Sequence, residues 1–462
     1  MTSAALSASF RDPSGFLFRD SDGMLLRQIN HRYRADFEAL NNSGLYADLE
    51  KDGLLIDHEV VDTAKAVTGD AFAVIKPRLI PVISYPYEWA FSALRDAALL
   101  TLSIQTKSLE YGMSLKDASA YNVQFVGCRP IFIDTLSFDR YEDGQPWIAY
   151  GQFCRHFLAP LMLMSHTNVD LNRLLQLYID GVPLELASQM LPWKTKFSMG
   201  AQLHLHMHAR MVRKHESTST EKPTNVGSLP KNKQLLLLDN LRSLLNGLAW
   251  ANTTTEWGNY YVDNNTYTDE SARKKAELVT KYLQAIGPAT AWDLGANTGV
   301  YSKLAVDQGA YCCAWDIDPA CVEAAYQQGK KRGENRMLPL RVDLANPSPA
   351  LGWAHQERAS LAERAPVDVV MGLALIHHLA IANNVPLGGI ARYFRQLGKN
   401  LIIEWVPKTD VQVQRLLRSR EDIFDQYEQS CFEAAFSDCF IIEERQAVGN
   451  DGRLLYRMSG KD

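Results

Sequence analysis

In the segment AWDLGANTGVYSKLAVDQG, Asp293 closes an apolar run, and Gly295 and Gly299 fall in the turn before a helical pattern. Glycines in a strand-to-helix turn let backbone approach a ligand closely, and the helix start offers free N–H groups. A dinucleotide calls for G-x-G-x-x-G with its pyrophosphate on the helix. The spacing here is D-x-G-x-x-x-G, with Asn297 and Thr298 in the middle. An acidic residue in the turn repels a pyrophosphate and attracts an ammonium or sulfonium. Asp316 ends the next apolar run, 23 positions after Asp293, where a carboxylate can accept from both ribose hydroxyls. Asp343 ends the third, in RVDL, placed to accept from an exocyclic adenine amine with Leu344 covering the ring. Each aspartate alone also reads as a strand-end or helix-capping residue. Together, in register with the glycine turn, they describe a nucleoside site with a positive charge beside it.

The elements that must position these residues follow from periodicity. TAWDL, YCCAWDI, LPLRVDL, VDVVMGL and NLIIEWV alternate with helices such as PACVEAAYQQGKK and LGGIARYFRQLG. That alternation predicts βαβ units and a doubly wound parallel sheet. FIIEER and RLLYRM, separated by the turn signal GNDG, predict a closing hairpin at the sheet edge. LLLLDNLRSLLNGLAW and ESARKKAELVTKYLQAI, upstream, carry helical spacing.

The segment from about residue 255 to 462 resembles class I S-adenosylmethionine-dependent methyltransferases, through DLGANTG, Asp316 in DID, Asp343 in RVDL and VDVVMGLALIHHL. The resemblance implies a Rossmann-like sheet of seven strands, with NDGRLLYRM as the family's last, antiparallel strand. It implies S-adenosyl-L-methionine as cofactor and S-adenosyl-L-homocysteine as product. Asp293 and Gly295 would lie by the methionine moiety, Asp316 by the ribose, Asp343 and Leu344 by the adenine, and Leu373 and Ala374 along the cofactor, with Asn297, Gly299 and Ile317 also binding it. LIIEWVPKTD, SREDIFDQYEQSCFEAAF and GRLLYRM are similar to bacterial nodulation-type methyltransferases.

Methyl transfer needs alignment and, for an O–H or N–H acceptor, a destination for a proton. His377 and His378 follow the fourth strand and read either as a base or as packed helix-start histidines. Glu404 ends the fifth strand and reads as a base, a substrate clamp or a salt-bridging carboxylate. Tyr260, Trp405, Arg420, Asp422 and Tyr427 are candidate acceptor contacts, with Arg420, Asp422 and Tyr427 reading equally as a surface charge network. Trp257, Tyr260, Tyr261 and Tyr267 form an aromatic run that suits a lid or ordinary packing.

In the N-terminal half, AFAVIKPRLIPVISYPYEW predicts strand, turn and strand, and Ala90–Leu109 a long helix. Asp117 and Asn122, then the hairpin VQFVGCRPIFID ending at Asp134, match a phosphotransferase's catalytic loop and metal-binding strand. This stretch is similar to the aminoglycoside-phosphotransferase branch of the kinase superfamily. The departures are the lack of G-x-G-x-x-G and V-A-I-K, with Arg27 the only basic residue in a plausible equivalent place, and IDT at the strand end. A degenerate scaffold is the favoured reading, with ATP and magnesium not favoured. His204, His206 and His208 read as part of an amphipathic helix, and no metal site is expected.

Composition sets the outer bounds. At 462 residues, roughly 100–200 per domain allows two to four domains. Hydrophobic residues at 46% and charged residues at 22% are globular usage, and a net charge of −5 gives no overall nucleic-acid footprint. No apolar run reaches the roughly 18–20 residues of a membrane span, and the N-terminus lacks the pattern of a secretory signal. Seven cysteines, without a C-x-x-C pair, indicate neither a disulfide framework nor a zinc cage. The expectation is a cytoplasmic protein with an α+β kinase-like domain at 1–214, a linker or mobile loop at 215–232 and an α/β methyltransferase domain at 233–462. It would methylate an O or N atom of a small molecule or glycan. The alternatives are a bifunctional kinase–methyltransferase and a non-catalytic cofactor-binding scaffold.

Overall fold

A computed structural model describes residues 5–210, 228–250, 269–418 and 421–461. The chain divides into two compact units. The first comprises Met1–Val126, Pro130–Ala251 and Leu351–Arg358, and the second Gly127–Arg129, Asn252–Ala350 and Ala359–Asp462.

The first unit holds a four-stranded antiparallel sheet in the order β1-β2-β4-β3, with β1 Gly15–Arg19, β2 Leu25–Asn30, β3 His58–Val61 and β4 Ala71–Pro77. Helices α1 (Arg34–Asn42) and α2 (Leu45–Lys51) connect β2 to β3. The long helix α3 (Phe91–Glu110) buries Leu94, Ala98 and Leu102 on the expected face. The second strand expected within AFAVIKPRLIPVISYPYEW is not formed; after β4 only a short helical turn, Pro86–Glu88, follows. Pro77, Pro81 and Pro86 lack the N–H that a ladder needs, so this stretch does not extend the sheet. β5 (Met113–Leu115) pairs with β8 (Phe138–Arg140), and β6 (Val123–Val126) pairs with β7 (Arg129–Phe132) as the expected hairpin. Helix α4 (Lys231–Gly247) groups with this unit rather than with the later sheet. Its buried Leu238, Leu241 and Leu245 share one face, and Arg95 on α3 donates to the Leu248 carbonyl at 3.0 Å. Most of the stretch expected as a linker lies outside the described residues.

The second unit is built on seven strands, β9 Thr290–Leu294, β10 Tyr311–Asp316, β11 Met337–Arg341, β12 Val367–Gly372, β13 Gly398–Trp405, β14 Phe440–Ala447 and β15 Leu454–Gly460. Their order is β11-β10-β9-β12-β13-β15-β14, parallel except for β15, which runs antiparallel to β13 and β14. The central strands are largely apolar and buried because helices cover both faces. Helix α5 (Asp269–Ile286) presents Val279, Tyr282 and Leu283 to Ala291, Val369, Met371 and Ile402. α6 (Val300–Asp307) and α7 (Pro319–Arg332) follow β9 and β10, and α8 (Leu387–Leu397) follows β12. α8 buries Leu387, Ile390, Ala391, Phe394 and Leu397, a helical stripe. α9 (Val411–Leu417) and α10 (Gln429–Ser437) lie between β13 and β14. Asp293 pairs in register with Ala314 on one side and Met371 on the other. The C-terminal ends of the parallel strands therefore finish together, where open α/β sheets take their ligands.

Candidate functional site

A cavity of about 300 Å³ opens at those strand ends and is lined by residues from five of the loops that follow the strands. The turn after β9 is fixed to β10 by N–H groups of Gly295 and Ala296, which donate to the Trp315 carbonyl at 2.8 and 2.9 Å. Gly295 and Gly299 have φ of +76° and +81°, and a Cβ on them would stand 3.3 Å from Leu375 and 3.2 Å from Met337. Only glycine meets both demands at low cost. Asn297 and Ala374 also line the cavity with left-handed φ of 52° each, a strained backbone for residues with a Cβ.

All three strand-end aspartates border this cavity. Asp293, 1% exposed, accepts from Ser302 Oγ at 2.6 Å. Asp316 accepts from the N–H groups of Asn297 at 2.7 Å and Asp318 at 2.8 Å, so β10 and the glycine turn are locked together through its carboxylate. Burial pushes both Asp293 and Asp316 up to about 6. Asp343 accepts from the Ala345 N–H at 2.9 Å. Ile317 (51% exposed), Leu344, Leu373 and Ala374 supply apolar lining.

Further along the cavity stand Lys275, Tyr301, His377, His378, Gln412 and Arg453. Periodicity had a signal for Lys275: it precedes Val279 and Tyr282 by four and seven positions and so shares their buried face. Arg453, in the β14–β15 turn, had no such signal. Lys275 donates to Glu404 at 2.6 Å, and Arg453 reaches Glu404 at 3.4 Å and Asp410 at 2.8 Å. Glu404 is thus held by two cations and is not among the lining residues. His377 is buried, and its Nδ1 has no hydrogen-bond partner among the described residues. Burial, then His378, Arg453 and Lys275, hold His377 well below the ordinary histidine range, and burial lowers His378 to about 4. Trp405 stacks on Tyr427 at 4.6 Å, and the Tyr427 hydroxyl donates to the Val406 carbonyl at 2.8 Å, both within an aromatic core and outside the lining. Asp422 pairs with Lys408 at 3.0 Å, also outside it. Tyr260 and its aromatic neighbours, and Arg420, fall outside the described residues.

In the first unit, Asp117, Asn122 and Asp134 are drawn into one network. Asn122 donates to Ser137 Oγ at 3.2 Å, and Ser137 donates to Asp134 at 2.5 Å. Gln152 donates to Asp117 at 2.8 Å. Arg27 pairs with Asp134 at 2.5 Å and with Asp12 at 3.5 Å. Burial pushes the Asp134 carboxyl up, but Arg27, Ser137 and the Leu136 N–H together bring it below its ordinary range. His204 is partnered by Tyr150 and Asn240, and His206 by Ser188 and Thr195. His208 stacks on Tyr150 at 5.0 Å.

A mixed seven-stranded sheet of this order, with its cavity at the parallel strand ends, is a Rossmann-like α/β fold. No protein-family model matches the chain. It is 35% identical over 459 residues to the nodulation protein NoeA of Rhizobium meliloti (strain 1021), covering 98% of this chain and 95% of that protein. The chain belongs to the NoeA family. Among solved structures it is similar to magnesium protoporphyrin IX methyltransferase (ChlM) from Synechocystis PCC 6803 with bound SAH, at 17% identity over 41% of this chain and 84% of that one, with a TM-score of 0.31. The N-methyltransferase NodS from Bradyrhizobium japonicum WM9 matches at 10% identity over 42% and 98%, with a TM-score of 0.30. WbdD matches at 15% identity over 47% of this chain and 46% of its own length, with a TM-score of 0.30.

Proposed function

We propose that the chain is a class I S-adenosylmethionine-dependent methyltransferase acting on a small-molecule or glycan acceptor, with the first unit as an accessory domain. The observation that carries this reading is the meeting of Asp293, Asp316 and Asp343 on one cavity beside a glycine turn with left-handed backbone. The residues fit the cofactor's chemistry. Asp316 takes the ribose hydroxyls, Asp343 and Leu344 frame the adenine, and Ile317 covers the sugar. Asp293 lies under the glycine turn, where a negative charge favours a sulfonium over a pyrophosphate. When bound, the cofactor supplies an electrophilic methyl group. The chain itself orients the acceptor with His377 and Gln412, excludes water with Leu373, Ala374 and Leu375, and anchors the far wall through Glu404.

The first unit is read as a scaffold. The Arg27 guanidinium sits on Asp134, the carboxylate that a phosphotransferase would need for its metal, and neutralises it. Calorimetry with S-adenosylhomocysteine tests the main reading: saturable binding by the intact chain is expected, and no association overturns it. Transfer of labelled methyl to any acceptor separates an enzyme from a scaffold that only binds cofactor.

A further inference from the structure

The wall of the cavity away from Asp316 and Asp343 has a layered charge arrangement. Lys275 and Arg453 line it, with side chains 3% and 1% exposed. Their counter-charges, Glu404 and Asp410, are buried behind them and do not line it. Arg453 is also paired with Asp451 at 3.4 Å, and Asp293 lines the same cavity, so a ligand group here meets the two cations together with one carboxylate. His377 lines the same cavity, and its Nδ1 is buried without a hydrogen-bond partner among the described residues.

The groups able to accept a proton there are already committed. Glu404 is clamped between Lys275 at 2.6 Å and Arg453 at 3.4 Å. Asp293 is engaged by Ser302 at 2.6 Å. An imidazolium at His377 would form beside two buried cations, and His378 is held neutral by burial. Among the described residues no unengaged base stands here to take a neutral alcohol's proton, and an ammonium would lie against Lys275 and Arg453.

We propose that the methyl acceptor is an oxyanion already ionised at neutral pH, a carboxylate or a phosphate monoester, held by Arg453, Lys275 and the Nδ1–H of His377. This rests on the methyltransferase reading and names its acceptor class. The step balances without a base. A lone pair of the oxyanion forms the O–C bond to the methyl carbon as the C–S bond breaks, and that bond's electrons return to sulfur. The sulfonium becomes a neutral thioether, the acceptor loses one negative charge, and no proton moves.

Two readouts test it on the full chain saturated with S-adenosylhomocysteine. Calorimetry with benzoate and phenyl phosphate is expected to show binding, with benzyl alcohol and benzylamine inert. Arg453→Gln weakens anion binding by about tenfold or more, and Arg453→Lys restores most of it, with thermal melting reporting that both variants fold. Binding of benzyl alcohol or benzylamine as tight as that of the anions overturns the proposal. In the second readout, labelled S-adenosylmethionine is incubated with the chain and a cell extract. The labelled product has one negative charge fewer than its acceptor. Release of the label as methanol in mild alkali marks a carboxyl ester, and an alkali-stable anionic product marks a phosphodiester. A labelled ether or amine of unchanged acceptor charge, or no label transferred, overturns it. Failure to bind S-adenosylhomocysteine is instead the failure of the methyltransferase reading.

Discussion

Lys275 donates to Glu404 at 2.6 Å with both side chains at 3% exposure or less, tying helix α5 to the end of strand β13 directly behind the cavity. Removing Lys275 leaves the buried Glu404 with Arg453 alone, at 3.4 Å, and breaking a buried pair costs about 3–5 kcal/mol. Lys275→Met is therefore expected to lower urea-denaturation stability by that order. The double variant Lys275→Met/Glu404→Leu regains part of the loss, because no buried carboxylate is left short of its lysine and Arg453 keeps Asp410. A single variant as stable as the parent would show that the pair adds nothing.

Asp316 holds two backbone N–H groups, those of Asn297 and Asp318. An asparagine there keeps one acceptor oxygen and loses the charge, so Asp316→Asn is expected to fold. Its affinity for S-adenosylhomocysteine drops by about tenfold or more, since a charged acceptor for ribose hydroxyls is lost. Calorimetry beside a thermal melt checks both halves; undiminished affinity would remove Asp316 from the site.

The glycine turn and the five parallel strands were legible because the apolar runs are largely buried and two of them carry an aspartate at or next to their last residue, as in YCCAWD and TAWDL. Their order around the cavity was not, since pairing is a tertiary outcome. Glu404 was visible as a strand-end carboxylate, yet its partners lie 129 and 49 positions away. Distances of that kind leave no local periodicity. Lys275 was concealed in the opposite way: a lysine on an amphipathic helix reads as solvent-facing unless its register with Val279 and Tyr282 is followed. The absent strand after β4 is a case where the apolar pattern misled and proline chemistry prevailed.

Burial raises Asp293 and Asp316 to about 6, above the ordinary carboxylate range. In the free protein both are ionised above that pH and take up protons below it. A ligand bearing a sulfonium and ribose hydroxyls favours the ionised forms, so binding lowers both values and expels protons in the acid range. Affinity for S-adenosylmethionine is expected to be flat above about pH 7 and to fall as pH drops through 6, by at most tenfold per unit for each carboxylate. Calorimetric titrations in buffers of differing ionisation enthalpy measure the released protons directly. Proton uptake at pH 5.5–6, or no pH dependence there, would contradict this assignment.

His377 lies at 2% exposure on the cavity wall, its Nδ1 unpartnered among the described residues, so its loss removes an acceptor contact without touching the nucleoside end. His377→Ala is expected to lower turnover by about tenfold or more while S-adenosylhomocysteine affinity stays within about twofold. Because the imidazole is held neutral, turnover of the parent should show no titration near the ordinary histidine value. A limb with a midpoint near 6.5 that vanishes in the alanine variant would instead assign His377 a proton-transfer role.

Arg27 and Asp134 form the 2.5 Å pair at the heart of the first unit, with side chains 10% and 16% exposed, and Ser137 links that pair to Asn122. A divalent cation at Asp134 would have to displace the guanidinium. Magnesium with ATP is accordingly expected to leave the melting temperature of the intact chain unchanged, even at millimolar nucleotide. Arg27→Met leaves Asp134 supported only by Ser137 and the Leu136 N–H, and is expected to cost about 2–4 kcal/mol. The Asp134 carboxyl lies below its ordinary range, so the stability it contributes is present above the unfolded value near 4 and is lost as pH falls through the lower folded value. Arg27→Met should therefore narrow the stability gap to the parent as pH is lowered below 4. A rise in melting temperature on adding magnesium and ATP to the parent would show that the cation displaces Arg27, and would restore phosphoryl transfer as a working activity of this unit.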